Sequence, residues 1–117
     1  MAGPLEDGST DLYIKQKLYR EQFAADLTAE DAALNAAAQR PLRDVALNEA
    51  SAAWKDIPSW FVFPEQDKNI PFAAHRFMAE RAGSRRTVEV PGASHSLPVS
   101  RPDAVVDVIL DAIKDVT

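Results

Sequence analysis

The chain contains no cysteine, which excludes a disulfide framework, a thiolate nucleophile and a zinc–thiolate site. It also has no basic stripe. The net charge is −5 and the arginines are scattered, whereas a nucleic-acid or anionic-membrane surface needs clustered positive charge. No apolar run approaches the roughly 20 residues of a bilayer crossing. The opening MAGPLEDGSTD lacks the basic and apolar regions of a signal peptide. A soluble, cytoplasmic protein with no nucleic-acid or membrane partner is therefore expected. What is present, 117 residues with 46% hydrophobic and no internal repeat, amounts to one globular domain or part of one.

The chain divides by texture into three segments. Residues 1–10, rich in Gly, Pro, Ser and acidic residues, read as a disordered tail. Residues 11–53 read as helical. DLYIK suggests a short extended piece, and YREQFAADL an irregular helical turn packing Tyr19, Phe23 and Leu27. Thr28 with Asp31 at the third position resembles a capping box, and the alanine-rich stretch after it predicts a helix over 29–39. Pro41 stops that helix and can open another over PLRDVALNEA, where Leu42, Val45, Ala46 and Glu49 fall at helical spacing.

From Trp54 the pattern alternates between strand and helix. SWFVF after Pro58 is a continuous apolar run of strand length, the mark of a strand buried on both faces of a parallel sheet. Pro71 opens a helix that places Phe72 and His75, or Phe77 and Arg81, at helical spacing and ends at Gly83. RRTVEV is a second strand. RPDAVVDVILDAIKDV is an amphipathic helix presenting Val105, Ile109, Ala112, Ile113 and Val116 to the sheet. The fold class expected over 54–117 is thus α/β, a β-α-β-α unit with two parallel strands.

In open parallel sheets ligand sites lie beyond the carboxyl ends of the strands. The first strand runs into PEQDKN with Asp67, and the second into PGASHSLP with His95. An aspartate and a histidine delivered to one sheet edge can hydrogen-bond, the carboxylate fixing the tautomer of the ring and stabilising its protonated form. Each residue also has a plainer reading: Asp67 as a turn-former bonding nearby backbone N–H groups, His95 as a solvated loop residue. His75, within a helical pattern, reads as a surface residue. Asp67, His75 and His95 have no recognised metal-ligand spacing, so no metal is expected, and no cofactor.

Residues 54–113 resemble the C-terminal end of α/β-hydrolase-fold proteins. There a strand ends in a G-x-x-D-x-x-x-P turn bearing the catalytic acid, and a helix and the last strand follow. A G-x-x-H loop then bears the catalytic base. The corresponding positions are Pro64, in place of the glycine, Asp67 and Pro71, then Gly92 and His95. SRPDAVVDVILDAI matches the last helix of the family, and residues 11–53 look like its helical lid. Small bacterial esterase-like hydrolases are the nearest likeness. The resemblance implies a partial α/β-hydrolase fold, with Asp67 as triad acid and His95 as general base.

The nucleophile of that family sits in a G-x-S-x-G elbow, which needs two glycines four positions apart. The only glycines are Gly3, Gly8, Gly83 and Gly92, and the only serines ahead of Asp67 are Ser9, Ser51 and Ser59, none following a strand and opening a helix. The expectation is a truncated domain that holds acid and base and is inactive alone. A two-stranded parallel sheet would leave apolar edges open to another chain. Two functions follow. One is part of a serine hydrolase acting on a small-molecule ester or amide once an N-terminal hydrolase half supplies the serine. The other is a non-catalytic, hydrolase-derived remnant or interaction domain that binds a partner or itself through the sheet edge. The pocket is expected to be apolar, with Trp54, Trp60 and the lid aromatics as candidates for its wall.

Overall fold

The computed structural model describes residues 4–48, 50 and 53–117. Residues 4–10, expected as a tail, form a closed turn: the Leu5 N–H donates to the Ser9 carbonyl at 2.8 Å, and Pro4 bridges Thr10. Strand β1 (Asp11–Leu12) then pairs antiparallel with β2 (Leu42–Arg43), in the register Asp11 with Arg43 and Leu12 with Leu42. Between these strands lie helices α1 (Gln16–Phe23) and α2 (Ala29–Ala38). They close around Tyr19, Ala24, Leu27, Ala32 and Ala36, with Ile14 and Phe23 packed at the margin. The expected cap is present. Thr28 Oγ1 accepts the Asp31 N–H at 3.1 Å and donates to the Asp31 carboxylate at 2.7 Å, satisfying one of the free N–H groups of the first turn.

The helix expected to begin at Pro41 is not there. Leu42 and Arg43 are extended, and the helix that follows, α3, covers only Asp44–Leu47. Tertiary partners outweigh the helical spacing. The Asp44 N–H donates to the Thr10 carbonyl and its carboxylate accepts the Thr10 N–H, both at 3.0 Å, while Arg43 reaches Asp7 at 2.7 Å. These contacts hold the segment extended beside β1. Of the residues placed in that helix, Glu49 lies outside those described.

After a 3-10 turn at Ala53–Lys55 come β3 (Trp60–Pro64), α4 (Phe72–Arg81), β4 (Arg86–Val90), a short helix α5 (Leu97–Ser100) and α6 (Pro102–Val116). β3 and β4 are parallel, from Trp60 beside Arg86 to Pro64 beside Val90. Side chains alternate across this pair with period two. On one face Val62, Val88 and Val90 pack with Ala93, Leu97, Ala104 and Val105 beneath α5 and α6. On the other, Phe63 meets Phe72 of α4 edge-on at 5.7 Å, and Glu89 pairs with Arg76 of α4 at 2.6 Å. Helix α4 ends as its glycine requires. Gly83 has φ 62°, its N–H donates to Glu80 and the Ser84 N–H donates to Ala79, the paired bonds of a Schellman motif.

Two expectations of burial change. The aromatic run of β3 is buried only at Phe63 and Pro64, and Trp60 to Val62 are half-buried, because the sheet among the described residues has two strands. On α6 the face turned inward is Ala104, Val105 and Val108, whereas Ile109, Ile113 and Val116 are exposed along with Val106 and Leu110. The sheet beneath is narrow, and the helix carries more apolar surface than one face needs. No helix among the described residues is long and apolar enough to cross a membrane.

Candidate active site at the carboxyl edge of the sheet

The two strands deliver their loops side by side. Beyond Pro64 the Glu65 N–H donates to the Val90 carbonyl at 3.1 Å and the Gln66 N–H to the Ala93 carbonyl at 3.0 Å, so the acid loop is stitched to the histidine loop. Gly92, with φ 71°, makes the turn that starts the histidine loop. Asp67 and His95 arrive within contact: His95 Nδ1 lies 2.7 Å from Asp67 Oδ2.

Both readings of Asp67 hold at once, one on each oxygen. Oδ1 accepts the Asn69 N–H at 2.8 Å and the Ile70 N–H at 3.0 Å, forming the turn. Oδ2 accepts from His95 and, at 3.0 Å, from His75 Nε2. The side chain is only 1% exposed. Burial works against its charge, but the bonds from His75, Ile70, Asn69 and His95 outweigh it and hold the carboxyl at about 2, below the ordinary 3.8. An ionised carboxylate only accepts, so both ring nitrogens facing it carry hydrogens. His95 is thereby held with Nδ1 protonated, and in the neutral ring Nε2 is left as the proton acceptor.

His75 does not behave as the surface residue its helical context suggests. Its side chain is 12% exposed and its ring lies stacked on Phe63 at 5.0 Å, the planes 6° apart. The helical spacing left the Phe72 and His75 face and the Phe77 and Arg81 face open, and the structure turns the first toward Phe63 while Phe77 is exposed. What lay beneath it, the end of β3 and the acid, is visible only in the folded chain.

The helical segment around α1 docks on both loops. The Phe23 carbonyl, at the end of α1, accepts from Ser96 N–H at 3.0 Å, Ser96 Oγ at 3.0 Å and Ser94 Oγ at 3.2 Å. Ser94 is buried, and its single hydroxyl hydrogen is shared between that carbonyl and the Asp26 carboxylate. Burial opposes the charge on Asp26, but hydrogen bonding from Ser100 and Ser94 lowers its pKa from the ordinary value. On the acid side, Asn69 Nδ2 donates to the Gln22 carbonyl at 3.0 Å. The Phe23 ring lies 4.4 Å from that of His95. Together these contacts frame a cavity of about 560 Å³ whose wall includes Tyr13, Ile14, Tyr19, Phe23, Leu42 and His95. Tyr13, Tyr19 and Phe23 supply the aromatic part of that wall. Trp54 instead lines a separate cavity with Phe61 and Met78, and Trp60 carries Arg85 over its ring at 5.4 Å. Among the described residues no group of three or more His, Asp or Glu side chains is arranged to hold a metal ion.

Helices cover both faces of the parallel pair, and an acid and a histidine are joined at its carboxyl edge, an α/β arrangement. The chain belongs to the alpha/beta hydrolase family, which residues 1–108 match. Among solved structures it is similar to polyneuridine aldehyde esterase, with a TM-score of 0.77 at 18% identity, and to a mutant of that esterase, with a TM-score of 0.76 at 18% identity. Each match covers 96% of this chain and 47% of the other, so the chain spans about half the length of those structures. No curated protein matches it.

Proposed function

We propose that this chain supplies the acid and general base of an esterase-like serine hydrolase, the nucleophilic serine coming from residues outside it. The observation that carries the reading is the 2.7 Å bond from His95 Nδ1 to a buried, ionised Asp67. In the reaction, neutral His95 takes the proton of the serine hydroxyl at Nε2 as the oxygen attacks the ester carbon. The imidazolium, stabilised by Asp67, then gives that proton to the departing alcohol, leaving an acyl-enzyme. Water repeats the cycle: His95 takes its proton, the acid is released, and the serine is restored. The cavity beside His95, walled by Tyr13, Ile14, Tyr19 and Phe23, suits an apolar group of a small ester. Absence of a G-x-S-x-G elbow from the sequence makes the chain inactive alone. The exposed apolar residues of α6 and the two-stranded sheet support a second hydrolase half as the partner.

Hydrolysis of a chromogenic short-chain ester tests this. The purified chain should show no turnover above the uncatalysed rate. Co-expression with an elbow-bearing N-terminal half should give turnover that His95→Ala reduces by about 10³-fold or more. Turnover unaffected by His95→Ala would overturn the assignment.

A further inference from the structure

Asp67 Oδ2 is shared by two imidazoles, and only one belongs to the acid–base pair. The second, His75, reaches it from the second turn of α4, its Nε2 3.0 Å from the oxygen. The ring has little freedom, since it lies flat on Phe63, which is itself wedged edge-on against Phe72. Phe63 is the penultimate residue of β3, the strand that delivers the acid. One strand therefore fixes both the carboxylate and the ring that contacts it.

The bond matters because of what the carboxylate would otherwise do. Its Oδ1 is tied by two backbone N–H groups, but Oδ2 has only side-chain donors, and the group is buried. With His95 as sole donor, the rotation of a buried carboxylate would rest at Oδ2 on the very ring it has to orient. A second donor on a separate, stacked ring keeps Oδ2 anchored whatever state His95 is in.

We propose that His75 is a positioning residue of the Asp67–His95 pair, its Nε2–H fixing the rotation of the carboxylate that serves His95. This deepens the hydrolase reading and rests on it. The neutral His75 ring is accordingly the Nε2–H tautomer, with Nδ1 bare.

The chain has only two histidines, so nitrogen-15 NMR of the whole protein resolves both rings, each assigned from a variant lacking the other. At mildly alkaline pH the expected pattern is His75 protonated at Nε2 and His95 at Nδ1. His75→Phe keeps the stack on Phe63 and removes the donor. It should raise the titration midpoint of the Asp67 carboxyl carbon by about one unit, a tenfold change in its ionisation constant, as expected for loss of one bond to a charged group. It should also shift the His95 Nδ1–H resonance. His75→Gln, whose side-chain amide can donate from a similar position, should restore both. If His75 only packs, His75→Phe leaves the Asp67 midpoint and the His95 resonance unchanged, and the proposal fails. Should that variant not fold, a wild-type His75 ring with a bare Nε2 overturns the proposal by itself, and one protonated there supports it. A wild-type His95 not protonated at Nδ1 would overturn the acid–base pair itself, a separate result from failure at His75.

Discussion

Phe23 and His95 meet ring to ring, their centroids 4.4 Å apart and their planes at 51°, one ending α1 and the other in the loop after β4. The same residue's carbonyl takes three bonds from Ser94 and Ser96. Helix α1 is thus fastened by the Phe23 backbone to the loop whose histidine the Phe23 side chain covers.

Phe23→Ala should keep the backbone latch and remove the ring. The half-buried site predicts a loss of roughly 2 kcal/mol, below the roughly 3–5 kcal/mol of a fully buried phenylalanine. Urea denaturation measures it. In the complemented hydrolase the same variant should raise KM for aryl and alkyl esters more than it lowers kcat, since the ring forms part of the wall and takes no proton.

Ser94→Ala removes from a buried position the one hydroxyl hydrogen shared between the Asp26 carboxylate and the Phe23 carbonyl. A loss of about 1–3 kcal/mol is expected, the cost of leaving such partners unsatisfied. The Asp26 midpoint should move upward, because one of the bonds holding it down is gone. Equilibrium unfolding and carboxyl carbon titration read the two effects separately.

Asp67 predicts an acid limb to stability. Its folded pKa, about 2, lies below the ordinary 3.8, so the ionised group favours the folded state. That contribution, about 2 kcal/mol, is complete above the unfolded value and is lost as pH falls from near 4 through about 2. Asp7 and Asp26 are also lowered and act in the same direction. The difference between wild type and Asp67→Asn isolates the one group: the stability gap between them should narrow on acidification. A gap independent of pH down to about 2 would contradict the assignment.

Much of this was legible in the sequence, and the reasons differ by element. The Thr28 cap, the apolar runs of β3 and β4, the Pro71 start and the Gly83 stop are local signals, each sufficient within one turn or strand. The pairing of Asp67 with His95 followed from topology, because parallel strands bring their carboxyl-end loops together. The PLRDVALNEA segment was not legible, since its extended start depends on Thr10 and Asp7, far back in the chain. Nor was the role of His75, which rests on Phe63 lying beneath it. The inward face of α6 was caught at Val105 but not at Val108, because the apolar arc opposite Asp103, Asp107, Asp111 and Lys114 is broader than one face and periodicity alone does not choose within it.

Mass spectrometry after reaction with a serine-directed fluorophosphonate tests most directly whether this chain holds the base and lacks the nucleophile. The purified chain should take up no adduct. When it is complemented by an elbow-bearing half, the adduct should sit on a serine of that half and fall by about 10³-fold in rate with His95→Ala. A fluorophosphonate adduct on any serine of this chain, formed in a His95-dependent manner without a partner, would contradict it.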